Sequence, residues 1–367
     1  MRNGAFSKLK IITTCMILFL FLPALTKTVS ANESMLPVAP IYIDGEPIDT
    51  KYTLREGHLL VPALFLKDTG AYVDWNEEYR SVVFSMKNIK FALPVGKKFS
   101  DDYVGGTWKR SSLPTETLDF NGVPFVPLIT VAKKLGMDVR YDASLARTFI
   151  TTNYSVKANN IKQANTSEKL VALTFDDGPE ILNTPKILDI LKEKGVPATF
   201  FVMGKQIKQF PDDMKRIVNE GHAIANHTYN HNDSKVIWTD QLRKEIQSTQ
   251  EEMVRVVGKK PDIFRPPYGS FSKADMRLLN ELGIRNILWS VDTLDWSGTT
   301  AEDILKIVHR DISPGGIVLQ HNFQSDRLIG TVEALPKIID ELKAKGYRFV
   351  TIQTLLASQT ETPNPNQ

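Results

Sequence analysis

The chain of 367 residues is 42% hydrophobic and 24% charged, which suits a soluble globular protein and gives length enough for two ordinary domains. Of its 45 basic and 42 acidic residues, Arg2, Lys8, Lys10 and Lys27 fall in the first 31 positions, which hold no acid, leaving 41 basic against 42 acidic side chains beyond them. That balance excludes a protein drawn to nucleic acid or an anionic wall by net charge.

Residues 1–31 read as a secretory signal peptide. Arg2, Lys8 and Lys10 precede an apolar stretch from Ile11 to Leu25, and Val29-Ser30-Ala31 offers small side chains to signal peptidase. Pro23 interrupts the stretch, which is shorter than the roughly 20 residues of a spanning helix, so cleavage near Ala31-Asn32 is expected and no membrane span remains. The only cysteine, Cys15, leaves with this segment and lies too early for a lipoprotein site. A mature chain without disulfides is common among exported proteins of Gram-positive bacteria. A secreted, extracellular or wall-associated location follows as an expectation.

Residues 32–152 show short apolar runs broken by Gly, Pro, Asn and Asp, the pattern of small strands. Leu60-Val61-Pro62, leading to Thr69-Gly70 and Val73-Asp74-Trp75, is echoed by Phe125-Val126-Pro127, leading to Leu135-Gly136 and Val139-Arg140-Tyr141. Each copy reads as a Pro-started helix followed by a hairpin, an imperfect duplication. This module resembles the copper amine oxidase N-terminal domain. The name does not imply copper here: His58 is the single histidine of residues 32–160, and Met35, Met86 and Met137 are scattered, whereas copper needs clustered ligands. An attachment or spacer role is expected. Residues 153–168, polar and Asn-rich, read as a linker.

From 169 to 357, strand-like and helical runs alternate. Strands are expected at 170–175, 198–203, 223–226, 263–264, 287–291, 316–320 and 349–352, and helices at 185–194, 212–220, 239–257, 273–282, 301–312 and 332–345. This β/α alternation predicts an α/β fold with a parallel barrel. The tail 358–367 reads as disordered.

Chemistry concentrates at the ends of the strand runs. Asp176 and Asp177 stand in Thr174-Phe175-Asp176-Asp177-Gly178-Pro179, and His227 and His231 follow with three residues between them. Alone, the first is also a good turn and the second a spacing that chance produces. Together they supply two imidazoles, one carboxylate and a spare carboxylate, the donor set of a catalytic divalent metal with an open position for water. Neighbouring residues at a strand end point in different directions, so one aspartate would bind the metal and the other face the water as a base.

Three further clusters are Arg265-Pro266-Pro267-Tyr268-Gly269, Asp292-Thr293-Leu294-Asp295-Trp296 and Leu319-Gln320-His321-Asn322. With these five motifs in order, the segment closely resembles the polysaccharide deacetylase family with NodB homology, carbohydrate esterase family 4. The resemblance implies a distorted (β/α) barrel preceded by the small α+β duplicated module, and deacetylation of an N-acetylated polysaccharide.

It assigns Asp177, His227 and His231 to the metal and Asp176 to the base. Arg265 would orient Asp176 and keep it ionised, and the backbone N–H of Tyr268 would hold the oxyanion and help bind substrate. His321, paired with Asp295, would protonate the leaving amine, and Trp296 and Leu319 would form the slot for the acetyl methyl. The ion would be zinc, with cobalt, nickel or manganese also suited to the donors. Leu319-Gln320-His321-Asn322 departs from the commoner Leu-Leu-His-Asp form, which bears on substrate preference and on the tuning of His321. Peptidoglycan is the expected substrate and the wall the expected partner. Chitin-like or other exopolysaccharides, O-acetylated glycans, and a non-catalytic glycan-binding role are the alternatives. His222 and His309 match no motif and are expected to be structural.

Overall fold

The structure, a computed structural model, describes residues 36–359; the expected cleavage site near Ala31 and residues 360–367 of the tail lie outside that range. Among the described residues no helix is long and apolar enough to cross a membrane.

The N-terminal module is rich in strands. It comprises β1 (Val38–Ile43), β2 (Glu46–Lys51), β3 (Thr53–Arg55) and β4 (His58–Pro62), then a 3₁₀ turn (Ala63–Thr69), β5 (Tyr72–Asn76) and β6 (Ser81–Met86). The second copy runs β10 (Leu118–Phe120), β11 (Val123–Pro127), α1 (Leu128–Lys134), β12 (Asp138–Asp142) and β13 (Arg147–Thr151). Both copies have a helical turn begun after proline and then a hairpin, as the repeat predicts. The first turn is 3₁₀ rather than α, and ends at Gly70 in the left-handed region (φ 89°), a conformation glycine adopts without steric cost. The copies meet where β4 and β11 pair antiparallel, Val61 opposite Val126. Between them β7 (Ile89–Pro94), β8 (Phe99–Val104) and β9 (Thr107–Ser112) extend the first hairpin into a five-stranded sheet. His58 begins β4 beside the turn at Gly57.

The segment read as a linker is in part the edge of the next sheet. Asn160–Ile161 forms β14, parallel to β19 (Arg285–Ile287), with Leu288 N–H donating to Ile161 O and Ala164 N–H to Gly315 O. Its polar side chains mimic a linker, but sheet pairing uses the backbone, which side-chain composition does not report.

The C-terminal half is built on β15 (Leu170–Asp176), β16 (Thr199–Val202), β17 (Ala223–Asn226), β18 (Ile263–Phe264), β19, β20 (Val291–Asp292), β21 (Gly316–His321) and β22 (Arg348–Phe349). Neighbours run in the order β14-β19-β18-β17-β16-β15-β21-β20, with β22 on β15, all parallel. The helices α2 (Thr184–Lys194), α3 (Gly204–Gln209), α4 (Pro211–Asn219), α5 (Thr239–Val257), α6 (Lys273–Glu281), α7 (Ala301–Asp311), α8 (Ile329–Ala344) and α9 (Ile352–Ala357) lie among them. The result is the distorted (β/α) barrel.

The distortion has a local source. The apolar run 287–291, expected as one strand, is two: β19 pairs with β18, and β20 with β21 at the opposite end of the hydrogen-bonded series. Leu288 to Ser290 therefore bridge the barrel's gap. The strand expected at 349–352 likewise stops at Phe349, because the Thr351 hydroxyl caps α9 by accepting from Thr354 N–H.

The residues of β15 alternate between two buried faces. Leu170 and Ala172 pack on the barrel interior with Phe201, Ala225, Ile287 and Ile317, and Val171, Leu173 and Phe175 pack outward against Leu188, Leu335 and Ile338. All seven residues of β15 are buried, as a strand covered on both faces should be. The period of two carries Thr174 and Asp176 into the interior row at the strand's C-terminal end, where barrels of this kind hold their chemistry.

Candidate active site

Each motif sits at or just beyond a C-terminal strand end. Asp176 is level with His321 across β15 and β21, strands that lie about 4.8 Å apart. Asp177 leaves the strand with φ 78°, and Thr228, His231, Tyr268 and Leu294 also adopt positive φ. Such backbone conformations persist where the surrounding structure enforces them and gather at functional sites.

Asp177, His227 and His231 offer one ligand atom each, all within 4.8 Å of one another. His227 Nε2 and His231 Nε2 stand 3.3 and 3.1 Å from Asp177 Oδ1. That buried oxygen receives no aligned hydrogen bond. His227 Nδ1 lies 2.7 Å from Arg265 O, so it donates there and leaves the Nε2 lone pair facing the carboxylate. Two imidazole nitrogens converging on an unsatisfied buried carboxylate oxygen fit a divalent ion.

The loop bearing His231 is tied by Glu245 of α5, which accepts from Tyr229 N–H (2.9 Å), Asn230 N–H (2.7 Å) and Asn230 Nδ2 (2.7 Å). The Asp-Gly-Pro loop is tied by Asn322, whose Oδ1 accepts from Gly178 N–H (3.0 Å) and whose Nδ2 donates to Thr184 Oγ1 (2.8 Å). A Cβ at Gly178 would lie 2.1 Å from Asn322 Nδ2, so glycine is required by this close approach.

Arg265 is fully buried. Its guanidinium donates to Asp176 Oδ1 (2.7 Å), Thr174 Oγ1 (2.9 Å), Ile287 O (3.1 Å) and Leu288 O (3.0 Å) and lies over the Phe201 ring at 3.9 Å. Burial pulls its pKa down and Asp176 pushes it back; a guanidinium stays charged. Asp176 is thereby fixed with Oδ2 turned to His227 Nε2, 3.9 Å away.

On the other side, His321 Nδ1 lies 2.7 Å from Asp295 Oδ1. Asp295 Oδ2 accepts from His321 N–H and Thr331 Oγ1, both at 2.8 Å. Burial would lower the His321 pKa, but Asp295 dominates and raises it to about 9. Its Nδ1 being engaged, the free proton is on Nε2.

These groups share one cavity of about 340 Å³, walled also by Tyr268, Trp296 and Leu319. Tyr268 is 71% and Trp296 48% exposed while Leu319 is buried, so the site has a solvent-facing aromatic rim over an apolar floor. Trp289, Asp292 and Phe323 line it as well and were not singled out from the sequence, although Asp292 stands inside a quoted motif. Glu245 and Thr331 carry no such signal; each reads as an ordinary helix residue. His222 lies elsewhere, buried, accepting from Ala198 N–H at 3.1 Å, and His309 pairs with Glu341 on the helical surface. A larger cavity, about 670 Å³, opens between the two halves at Asp44, Asn160 and Lys273, lined by none of Asp177, His227 and His231.

Comparison with known proteins now decides the family. Residues 163–287 match the profile described as polysaccharide deacetylase, and 42–151 that of the copper amine oxidase N-terminal domain. A peptidoglycan-N-acetylglucosamine deacetylase of Bacillus cereus is 44% identical over 191 residues, covering 52% of this chain and 70% of the relative. The chain belongs to the polysaccharide deacetylase family. A peptidoglycan-N-acetylmuramic acid deacetylase of Bacillus subtilis is 38% identical, over 52% of this chain and 73% of its own. The crystal structure of a peptidoglycan N-acetylglucosamine deacetylase in complex with 4-naphthalen-1-yl-N-oxidanyl-benzamide superposes with TM-score 0.54 at 41% identity, covering 56% of this chain and 96% of that one. A family pseudoenzyme from Bacillus anthracis superposes with TM-score 0.52 at 30% identity, over 60% and 78%. As a polysaccharide deacetylase of carbohydrate esterase family 4, the protein is a hydrolase acting on amide bonds of acetylated sugars. Deacetylases of this family are metalloenzymes.

Proposed function

We propose that this polysaccharide deacetylase is exported and removes N-acetyl groups from the amino sugars of peptidoglycan, with zinc held by Asp177, His227 and His231. The observation that carries the reading is that the ligand triad, an Arg265-pinned carboxylate and an Asp295-paired imidazole all face one cavity. A bound divalent ion supplies a water of lowered pKa and polarises the acetyl carbonyl.

Asp176 takes the proton of the attacking water on Oδ2, since Oδ1 is engaged by Arg265. The Tyr268 amide stabilises the oxyanion as the carbonyl carbon becomes tetrahedral. His321, protonated at neutral pH, gives its Nε2 proton to the sugar nitrogen as the C–N bond breaks. Acetate and a free amine result. Leu319 and Trp296 shape the slot for the acetyl methyl, and the exposed Tyr268 and Trp296 flank the glycan.

Peptidoglycan is supported by the activities of the relatives, and export by the basic and then apolar leader with Ala31 at its end. The N-terminal module is read as the part that keeps the enzyme at the wall. The deciding experiment measures acetate released from peptidoglycan, chitooligosaccharide and acetylated xylan in parallel, with and without chelator. Peptidoglycan should be the best polymer, with release abolished by chelator and restored by zinc. Fastest release from xylan, or release indifferent to chelator, overturns the reading.

A further inference from the structure

We infer that Lys67, from the N-terminal module, is a positioning residue for the metal-binding loop, so that the module is part of the catalytic apparatus; this rests on the ligand role proposed for His231. Lys67 lies in the 3₁₀ turn of the first repeat and is 1% exposed. Its ammonium donates to Ser234 O (2.6 Å) and Ile237 O (2.9 Å) and forms an ion pair with Asp275 Oδ1 (2.8 Å). Two of its three donors are thus used on carbonyls of the barrel half, and its charge faces Asp275 without an aligned hydrogen bond.

Both elements it reaches belong to the site's framework. Ser234 is three residues past His231, and the two carbonyls bracket the short turn that joins the ligand loop to α5. Glu245 ties this loop at Tyr229 and Asn230, before His231, and more distantly at Asn232 (3.3 Å) just after it; Lys67 fixes the backbone beyond, at Ser234 and Ile237. Asp275, 1% exposed, closes the capping box at the start of α6 through Ser272, directly after the loop bearing Tyr268. Lys67 thus joins the His231 and Tyr268 loops, whose rings stand 4.8 Å apart. Nearby contacts hold the turn in place: Lys235 pairs with Asp68 at 3.4 Å, Asp240 N–H donates to Asp74 Oδ1 at 2.8 Å, and Trp75 stacks on Trp238.

A metal site binds well when its ligands are held to within about 0.5 Å by supporting contacts, and loss of outer contacts lowers metal affinity about 10- to 100-fold. The test is Lys67→Met in the full-length chain, with the zinc Kd measured by chelator competition and kcat and KM on chitooligosaccharide at saturating zinc. Lys67→Met/Asp275→Asn repeats it without an unpaired buried carboxylate. Zinc should bind about tenfold more weakly, and at saturating zinc kcat should fall with KM nearly constant. Lys273→Ala, which breaks the exposed cross-module pair of Lys273 with Asp44, should leave the Kd unchanged.

Folded Lys67 variants with wild-type Kd and kcat overturn the inference, as does Lys273→Ala reproducing the loss. Failure of the wild-type protein to bind zinc overturns the ligand reading as well. If neither Lys67 variant folds, native-state hydrogen exchange on the wild-type protein decides. Peptides from 60–76 and 228–240 should lose protection at the same denaturant concentration, and early opening of the first segment alone, with zinc still bound, refutes the inference.

Discussion

Asp176 lies in the interior row of β15 against Arg265, and Asp177 turns out of the strand towards His227 and His231. The two carboxylates should therefore fail differently. Asp177→Asn should empty the site of metal, whereas Asp176→Asn should retain it and lose about 10²- to 10⁴-fold in kcat, the usual worth of a general base; elemental analysis beside kinetics separates them, and reversed metal contents would reverse the assignment.

His321→Ala should depress amide hydrolysis on the same scale, yet affect an ester with a good leaving group much less, because such a group departs without a proton. Equal losses on both substrates would remove the acid role. Since Asp295 raises the His321 pKa to about 9, the acid form is present below that pH and is lost as pH rises through it. Asp295→Asn should move the alkaline limb of kcat/KM to lower pH, and an unmoved limb would show that His321 does not set it.

At the scale of elements, β21 carries an internal inconsistency. Gln320 sits level with Phe175 in the outward, helix-facing row, fully buried, with neither amide atom hydrogen-bonded. Leaving a buried polar group unpaired costs about 1–3 kcal/mol. Gln320→Leu should thus raise the melting temperature by several degrees with kcat little changed, and a lower melting temperature would reveal partners for the amide. The sequence marked Gln320 as a departure from the family pattern, and strand periodicity assigns its row; its lack of partners depends on the helices packed there. Asn322, the second departure, is fully used between Gly178 and Thr184.

At the scale of the molecule, the N-terminal half is docked rather than tethered. A chain beginning at Thr166 would lose β14 and the Lys67–Asp275 pair and would uncover Ile237, Leu242 and Leu278, on which Tyr72 of the module packs. Leaving such a side chain in water costs about 1.5–3 kcal/mol when it is fully exposed, and at about 2–4 °C per kcal/mol for a domain of this size the truncated chain should melt roughly 10 °C below the full-length protein. Calorimetry on both, with rates on a short soluble oligomer, checks this. Equal melting temperatures and equal rates would reduce the module to an attachment device, which is how its lack of metal ligands reads in isolation.

The sequence by itself determined the β/α alternation, the strand ends that carry the five motifs, the internal repeat, and that Asp177, His227 and His231 gather with Asp176 and His321 about one cavity. Periodicity is local, and these polar residues stand at the ends of apolar runs where little else explains them. Only the tertiary structure decided that residues 160–161 form a sheet edge, that the run 287–291 divides between opposite ends of the hydrogen-bonded series, and that Lys67, Glu245 and Thr331 contact the loops and side chains around the site. Each of those depends on partners far away in the chain. A lysine in Leu66-Lys67-Asp68 reads as a solvated side chain until Ser234, Ile237 and Asp275 close around it, because burial of a charge is a property of what it meets, not of its neighbours in sequence.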